Sequence, residues 1–181
     1  MLSRVEKFEA ALAQTDCDAV LVTNLKNIYY LTGFSGTEAT VFISKNRRIF
    51  LTDARYTLIA KGVVQGFDIV ETRDAIGEIV KIIADDKLQK IGFDDEISYA
   101  YFKMLESAFS AYELVPMTAF IENLRMIKDE QEIATIRKAC QISDQAFLDV
   151  LDFIKPGETT ELAVMNFLDA RMRQLGASGA S

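Results

Sequence analysis

The sequence predicts an α/β fold in which helices flank a mixed β-sheet. Up to about residue 117, short apolar runs that are typical of buried strands alternate with segments of helical periodicity. Two of these runs, 40–44 and 48–53, flank the turn-like tripeptide KNR, which predicts a β-hairpin and therefore antiparallel pairing. The composition is that of a globular domain, since 50% of the 181 residues are apolar and 26% are charged.

Each element of this part is predicted from its local pattern. Val5, Phe8 and Leu12 recur at the spacing of one helix face, whereas the next run, AVLV, is continuously apolar. Glycines at 33 and 36 predict a bend. The predicted order is a helix over 4–14, a strand over 18–24, a bend over 27–39, strands over 40–44 and 48–53, a helix over 54–64, a strand over 68–72, a helix over 75–85, a strand over 90–95, a helix over 98–109 and a strand over 112–117.

The pattern changes near Lys128, where long helical periodicity replaces the alternation. Asp129, followed three residues later by Glu132, resembles a capping box and predicts the start of a helix that extends to 154. The pair Pro-Gly in KPGET ends that helix, and a second one is predicted from about Thr159 to Gly176. The apolar face of the first helix is predicted to carry Ile133, Ile136, Cys140, Phe147, Val150 and Ile154.

Two domains are predicted from this change, one over 1–127 and an incomplete one over 128–181. The first has enough apolar runs for a core of its own. The two later helices are amphipathic, so each needs a further surface on which to pack. An apolar face without an evident partner is what a severed domain would have, and we expect such a chain to self-associate.

Charge and apolar content exclude several classes of partner. The chain has 20 basic and 27 acidic residues, a net charge of −7, and binding to nucleic-acid phosphates requires clustered Lys and Arg. We therefore predict no nucleic-acid partner. The apolar runs fall far short of the roughly 18 residues that span a bilayer, so no membrane partner is predicted either. The N-terminus lacks a secretory h-region and the two cysteines are far apart, which favours a cytoplasmic protein with reduced thiols.

The absence of histidine limits the chemistry that these residues can perform. It excludes Ser-His-Asp and Cys-His catalysis, and with only two cysteines it excludes most zinc sites. Acidic residues are plentiful, but adjacent side chains on a helix or strand point apart and rarely bind one ion. Glu130, Glu132 and the Asp pairs at 85–86 and 94–95 are therefore interpreted as solvated faces or helix starts.

Four stretches of the chain carry a family resemblance. They are NIYYLTGFSG (27–36), FLTDARY (50–56), LRMIKDEQEIATIRKA (124–139) and KPGETTELAV (155–164). In this order they resemble the Xaa-Pro peptidases, which include aminopeptidase P and prolidase and share their fold with creatinase. The resemblance spans nearly the whole chain. It implies a creatinase/prolidase-like N-terminal domain, followed by a pita-bread catalytic domain of which 128–181 would supply only the first helices.

The resemblance also implies an activity and a cofactor. Members of the family hydrolyse the bond before proline with two divalent ions, usually manganese, held by two Asp, one His and two Glu. These ligands follow the LGAS segment in the family, and no position of this chain matches them. RQLGASGAS (173–181) is accordingly interpreted as the cut end of a longer polypeptide. We expect an Xaa-Pro metallopeptidase as the full-length parent, and neither bound metal nor activity for this chain alone.

The first motif supplies candidates for the wall of a substrate cleft. Gly33 and Gly36 permit backbone angles that other residues avoid, so they are predicted to let the bend fold tightly. Tyr29, Tyr30 and Phe34 offer flat apolar area that could meet a proline ring. The alternative is that these aromatic side chains fill the core beneath the bend.

The second motif, LTDARY, supplies a charged candidate. Asp53 is predicted to cap the helix that follows it. Arg55 would lie in the first turn of that helix, where its charge opposes the helix dipole. An arginine against local preference suggests a clasp on a peptide carboxylate, and the alternative is an ion pair with Asp53 or another acid.

The family resemblance gives these candidates a setting. In the family, the N-terminal domain assembles a homodimer and helps to wall the active site, and proline-containing peptides are the substrates. The alternative function is a non-catalytic dimerisation or peptide-binding module of the same fold.

Overall fold

The computed structural model describes residues 2–179, so the last two residues of the segment interpreted as a cut end lie outside the described part. The helices are α1 Arg4–Leu12, α2 Leu25–Thr32, α3 Thr57–Val63, α4 Ala75–Asp85, α5 Tyr99–Ala108, α6 Phe120–Met126, α7 Glu130–Phe153 and α8 Glu161–Gln174. The strands are β1 Ala19–Val22, β2 Thr40–Ser44, β3 Arg48–Thr52, β4 Asp68–Glu71, β5 Lys90–Phe93 and β6 Glu113–Pro116. The chain forms two compact units, an N-terminal unit, Met1–Met126, and a C-terminal unit, Ile127–Ser181.

The N-terminal unit is built on one mixed sheet, which confirms the predicted α/β class. The six strands are ordered β4-β3-β2-β1-β5-β6. β2 pairs antiparallel with both β1 and β3, and the remaining neighbours are parallel. β2 therefore runs opposite to the other strands, all of which end at one edge of the sheet. We call this the carboxyl edge.

The core lies on both faces of this sheet. Successive side chains of a strand point to opposite faces, so each central strand contributes to two clusters. Val20, Val41 and Phe50 pack on the face covered by α1, α2, α3 and α6. Leu21 and Phe42 pack on the face covered by α4 and α5. Coverage on both faces explains why the central strands are apolar throughout, without the alternation of a half-exposed sheet.

The segment 27–39 corrects the prediction of a continuous bend. Its first part belongs to α2, where the side chain of Asn24 accepts the N–H of Lys26 and caps the helix. α2 ends at Gly33, so the irregular segment is restricted to 33–39. Glycines alone predict where a helix stops, and the eight residues before them are too few for periodicity to be distinctive.

α6 was not predicted at all. It has seven residues and follows the last strand closely. A segment of two turns carries little periodic signal, and its helicity depends on packing against the rest of the unit. Ile121 of this helix is fully buried in the core.

The C-terminal unit contains α7 and α8, which pack on each other. The capping box of Asp129 and Glu132 is confirmed, with each side chain accepting the other residue's backbone N–H. Phe153 and Phe167 stack with ring centroids 4.5 Å apart, and Arg171 Nε donates to Asp149 at 2.6 Å. Along the whole described range 2–179, no helix combines the length and apolar character needed to cross a membrane.

Candidate functional site

Two cavities open at the carboxyl edge of the sheet, where open α/β sheets bind their ligands. The β3–β4 cavity has a volume of about 350 Å³ and is lined by Glu38, Thr40, Thr52, Asp53, Arg55 and Arg73, among others. The β1–α5 cavity, of about 340 Å³, is lined by residues that include Thr23, Thr37, Glu38, Thr40, Ser98 and Tyr101. Glu38 and Thr40 line both cavities, so the segment before β2 separates them.

Arg55 forms an ion pair with Asp53 at the β3–β4 cavity. Its Nε and Nη2 both donate to Asp53 Oδ2, at 2.9 and 2.6 Å, and its backbone N–H donates to Asp53 Oδ1 at 2.9 Å. The side-chain hydrogen bonds from Arg55 lower the pKa of the Asp53 carboxyl. This is the alternative that the sequence left open for Arg55, and the pair fixes the orientation of the guanidinium.

The expected helix-capping role of Asp53 is wrong. α3 begins only at Thr57, and no side chain caps it. Asp53 instead makes a tight turn over 53–56, in which its carboxylate accepts the N–H of Arg55. Arg55 therefore lies in this turn and outside the first turn of the helix, so the argument from the helix dipole does not apply to it.

The three candidate aromatic side chains have different environments. Phe34 is 1% exposed and contacts the rings of Phe50 and Tyr56 edge-on, with centroids 5.0 and 5.6 Å away. Tyr30 is also buried, with the guanidinium of Arg4 above its ring. Both are thus core side chains, as in the packing alternative. Tyr29 is 54% exposed, and a cleft-wall role for it stays a prediction.

The two glycines of the motif serve different needs. Gly33 has a φ of +75° and ends α2 in the left-handed conformation, as the bend prediction required. Gly36 does not have a positive φ, and a glycine is required there because a larger residue would overlap neighbouring side chains. This corrects its predicted role. A Cβ built on Gly36 would lie 2.6 Å from Phe34 Cε1 and 2.9 Å from Tyr56 Cδ1.

A buried polar cluster joins the carboxyl edge to α2 and α6, and the sequence did not predict it. Asp94 follows β5 and is only 8% exposed, so its interpretation as a solvated acid is wrong. Its carboxylate accepts the backbone N–H groups of Thr23 and Asn24, at 2.5 and 2.8 Å, and Asn27 Nδ2 at 3.2 Å. These bonds hold the end of β5 against the connection between β1 and α2.

Asn27 extends the cluster to α6. It is completely buried and donates its second Nδ2 hydrogen bond to Glu122 Oε1 at 2.8 Å. Arg125 Nη1 in turn donates to Asn27 Oδ1 at 2.9 Å. Burial raises the pKa of Asp94 despite its donors. The only signal in the sequence was a position, because an acidic residue directly after a parallel strand lies at the ligand-binding edge.

Arg73 and Glu38 also went unrecognised. Thr52 of β3 pairs with Glu71 of β4 in parallel register, and the N–H of Thr72 donates to the carbonyl of Thr52 at 2.8 Å. The residues that follow the two strands, 53–55 and 72–73, are thereby brought together. Local sequence cannot reveal this pairing, because the two strands are separated by a helix.

A further cavity of the N-terminal unit is lined by arginines that already form ion pairs. It has a volume of about 660 Å³ and lies at the opposite edge of the sheet, near the hairpin turn. Its arginines are already engaged, since Arg48 pairs with Glu9 at 2.6 Å and Arg47 pairs with Asp86 at 2.8 Å. These two ion pairs stabilise the turn between β2 and β3.

The residues present do not fit the two-metal site that the family resemblance implies. Within residues 2–179, no group of three or more His, Cys, Asp or Glu side chains is placed to hold a metal ion. The chain also has no histidine, one of the expected ligands. No catalytic step is therefore assigned to these residues through a metal.

The C-terminal unit has a wide apolar surface. Ile142, Ala146 and Val150 form the buried side of α7, and of these only Val150 belongs to the predicted apolar face. Of the residues predicted for that face, Ile136, Cys140, Phe147 and Ile154 are exposed. Leu148, Leu151, Leu162 and Met165 add to the exposed apolar area. A cavity of about 650 Å³ also opens between α7 and the segment after α8, lined by Ile142 and Met172 among others.

Comparison with protein families gives a match over most of the chain. The Creatinase/Prolidase N-terminal domain matches residues 4–127, which include all but the first three residues of the N-terminal unit and the carboxyl edge with its two cavities. Among curated proteins, the uncharacterized peptidase YqhT of Bacillus subtilis is 36% identical over 183 aligned positions. The alignment covers 98% of this chain but 51% of the relative, so the chain spans about half the length of that protein.

Solved structures give matches of two lengths. The Xaa-Pro dipeptidase from Bacillus anthracis is 35% identical with a TM-score of 0.89, and the match covers 97% of this chain and 50% of that one. The aminopeptidase P from Streptococcus thermophilus is 57% identical with a TM-score of 0.66. That match covers 67% of this chain and 95% of the other, so the matched chain is little longer than the N-terminal unit.

Proposed function

Because the chain belongs to the creatinase/prolidase family of Xaa-Pro peptidases, we propose that it is the N-terminal part of a metal-dependent enzyme that hydrolyses the bond before proline. The observation that carries this proposal is the coverage of the relatives. Nearly all of this chain matches half of an Xaa-Pro dipeptidase, with a TM-score of 0.89. The parent would be a cytoplasmic dipeptidase or aminopeptidase.

In this proposal, the chain contributes structure to the active site and none of its chemistry. The N-terminal unit assembles a homodimer and helps to wall the cleft for proline-containing peptides. Arg55 and Tyr29 are the candidates for contacts there, because both lie at the surface. Two divalent ions, most simply Mn²⁺, would be held by oxygen-rich ligands in the catalytic domain of the parent, outside the residues of this chain.

The coding sequence beyond codon 181 tests this proposal. We expect the frame to continue with two aspartates, a histidine and two glutamates in the family's order. The complete product should then release proline from an Xaa-Pro dipeptide when Mn²⁺ is added. The 181-residue chain should release none under the same conditions, and turnover by this chain would contradict its inactivity.

A second candidate function is a non-catalytic dimerisation or peptide-binding module of the same fold. The match to the Streptococcus thermophilus chain bears on its folding alone, because 95% of that chain aligns with two thirds of this one. The fold of the N-terminal unit is therefore found in a crystal structure of a chain little longer than that unit. A stop codon after Ser181 in the source gene would support the module and reject the peptidase.

A further inference from the structure

We propose that the β3–β4 cavity binds the free carboxylate of a short peptide, with Arg73 and Arg55 as its two contacts. This inference rests on the proposed function, since it specifies how the N-terminal unit would hold one end of a peptide. It assigns a role to Arg73, which no sequence motif indicated.

Arg73 has a guanidinium that is available for a ligand. It is exposed in the wall of the cavity and makes no hydrogen bond or ion pair with any residue in the range 2–179. Its charge is nevertheless close enough to Asp53 to contribute to the lowered pKa of that carboxyl. A planar guanidinium with five donors matches a carboxylate in bidentate geometry, so a carboxylate is the ligand group it fits best.

Arg55 provides a second donor whose direction is already fixed. The bonds to Asp53 use Nε and Nη2 and leave Nη1 for a ligand. The guanidinium also lies over the ring of Tyr56, with its carbon 5.4 Å from the ring centroid. Because Asp53 and Tyr56 both contact the side chain and favour one direction for it, less conformational entropy is lost when Arg55 binds a carboxylate.

The size of the cavity restricts the ligand to one or two residues. Its volume of about 350 Å³ lies near the lower end of the range for small-molecule sites. Hydroxyl-bearing Thr40 and Thr72 and the apolar side chains of Leu51 and Ala75 complete the wall. Such a surface suits a peptide end, which combines polar backbone groups with a short side chain.

The charges of the cavity favour a peptide over a simple anion. The positive charges of Arg55 and Arg73 are balanced by those of Asp53 and Glu38. Asp53 is occupied by Arg55, whereas the exposed carboxylate of Glu38 would repel a multiply charged anion and attract an ammonium group. A dipeptide carries both a carboxylate, which complements the two arginines, and an ammonium group, which complements Glu38.

An NMR titration of the 181-residue chain with the dipeptide Ala-Pro tests the inference. We expect saturable shifts of the backbone amides of Thr72 and Arg73 and of Arg55 Nε–H. Ala-Pro amide, which lacks the carboxylate charge, should bind about tenfold more weakly, as should the variant Arg73→Gln with Ala-Pro. Arg55→Gln should also weaken binding. Arg47→Gln, which removes an ion-paired arginine at the opposite edge of the sheet, is the matched control and should bind unchanged.

The outcomes separate this inference from the proposed function. Equal binding of the acid and the amide, or unchanged binding by Arg73→Gln, would overturn the carboxylate site. Intact binding combined with a complete gene product that does not hydrolyse Xaa-Pro bonds would reject the peptidase and leave the site standing. Hydrolysis by the complete product without any shift at Arg73 would reject the site alone.

Discussion

At the scale of single residues, Asp94 is the acid whose environment differs most from its sequence context. The neighbouring Asp95 is exposed, whereas Asp94 is buried with three donors aimed at its carboxylate. A charged group with satisfied hydrogen bonds is tolerated in the interior, but removal of its acceptors leaves the donors unpaired. The role of Asp94 is therefore to hold β5, α2 and, through Asn27, α6 together.

We expect Asp94→Asn to destabilise the N-terminal unit by about 1–3 kcal/mol. The amide has a single acceptor oxygen, so its NH₂ group would face either the backbone donors or Asn27 Nδ2. Urea unfolding, followed on signals of the N-terminal unit, measures the loss. Asp95→Asn is the matched control because it changes the same chemical group at an exposed neighbouring position. An equal effect of the two substitutions would reject the role of Asp94.

The difference in stability between the unsubstituted chain and Asp94→Asn should change with pH in one direction. Burial raises the pKa of Asp94 above its ordinary value of 3.8, so the native state holds the proton over a range in which the unfolded state has lost it. The stability that Asp94 contributes is therefore fully present below 3.8 and is lost as the pH rises through the raised native pKa. The stability gap between the unsubstituted chain and Asp94→Asn should narrow as the pH rises above the ordinary carboxyl pKa of 3.8.

At the scale of elements, the segment 33–39 and α3 contain glycines with opposite requirements. Gly36 lies against the rings of Phe34 and Tyr56, which belong to the core and the turn before α3. Gly62 lies within α3 and is exposed, and a Cβ built on it would have no neighbour within 4 Å. The same substitution therefore tests packing at one site and helix propensity at the other.

We expect Gly36→Ala to destabilise the chain by about 1–3 kcal/mol, because the new methyl group overlaps two aromatic rings. Gly62→Ala should instead stabilise it by about 0.5–1 kcal/mol, since alanine loses less backbone entropy in a helix. Thermal or urea unfolding of the two variants and of the unsubstituted chain measures both changes in the free energy of unfolding. Tolerance of Gly36→Ala would contradict the close packing of Gly36 against the two rings, and destabilisation by Gly62→Ala would contradict the open surroundings of Gly62 in α3.

At the scale of the whole molecule, apolar surface is distributed unevenly between the two units. The N-terminal unit buries its apolar strands between two layers of helices. The C-terminal unit has only α7 and α8, and many of their large apolar side chains are exposed. Exposed patches of several hundred Å² usually mark a surface that is covered by another chain or another part of the same one.

We expect the 181-residue chain to self-associate through the exposed face of α7. The double variant Phe147→Ser, Leu151→Ser removes two side chains that are 60% and 52% exposed, and should shift the sedimentation profile toward the smaller species that the N-terminal unit would form by itself. Leu58→Ser, at a position 83% exposed on α3, is the matched control and should leave association unchanged. A stronger effect of Leu58→Ser than of the double variant would indicate that the main interface lies on the N-terminal unit. If the unsubstituted 181-residue chain is strictly monomeric, self-association is rejected.

The sequence by itself determined the features that depend on neighbours along the chain. These are the alternation of strands and helices, the hairpin, the capping box at Asp129, the positive backbone angle at Gly33 and the family motifs. Each rests on local backbone preferences or on a pattern within a few residues. The α/β class and the family followed from them, whereas the short helices α2 and α6 did not, because two turns carry little periodic signal.

The tertiary structure decided everything that depends on residues far apart in sequence. Parallel pairing of β3 with β4 places Arg73 beside Asp53 and Arg55, and the end of β5 buries Asp94 against the start of α2. Packing also buries Phe34 and Tyr30 while Tyr29, their neighbour, stays exposed. The physical reason is that strand pairing and burial are collective, since each depends on which distant surfaces meet, and a local pattern contains no record of that choice.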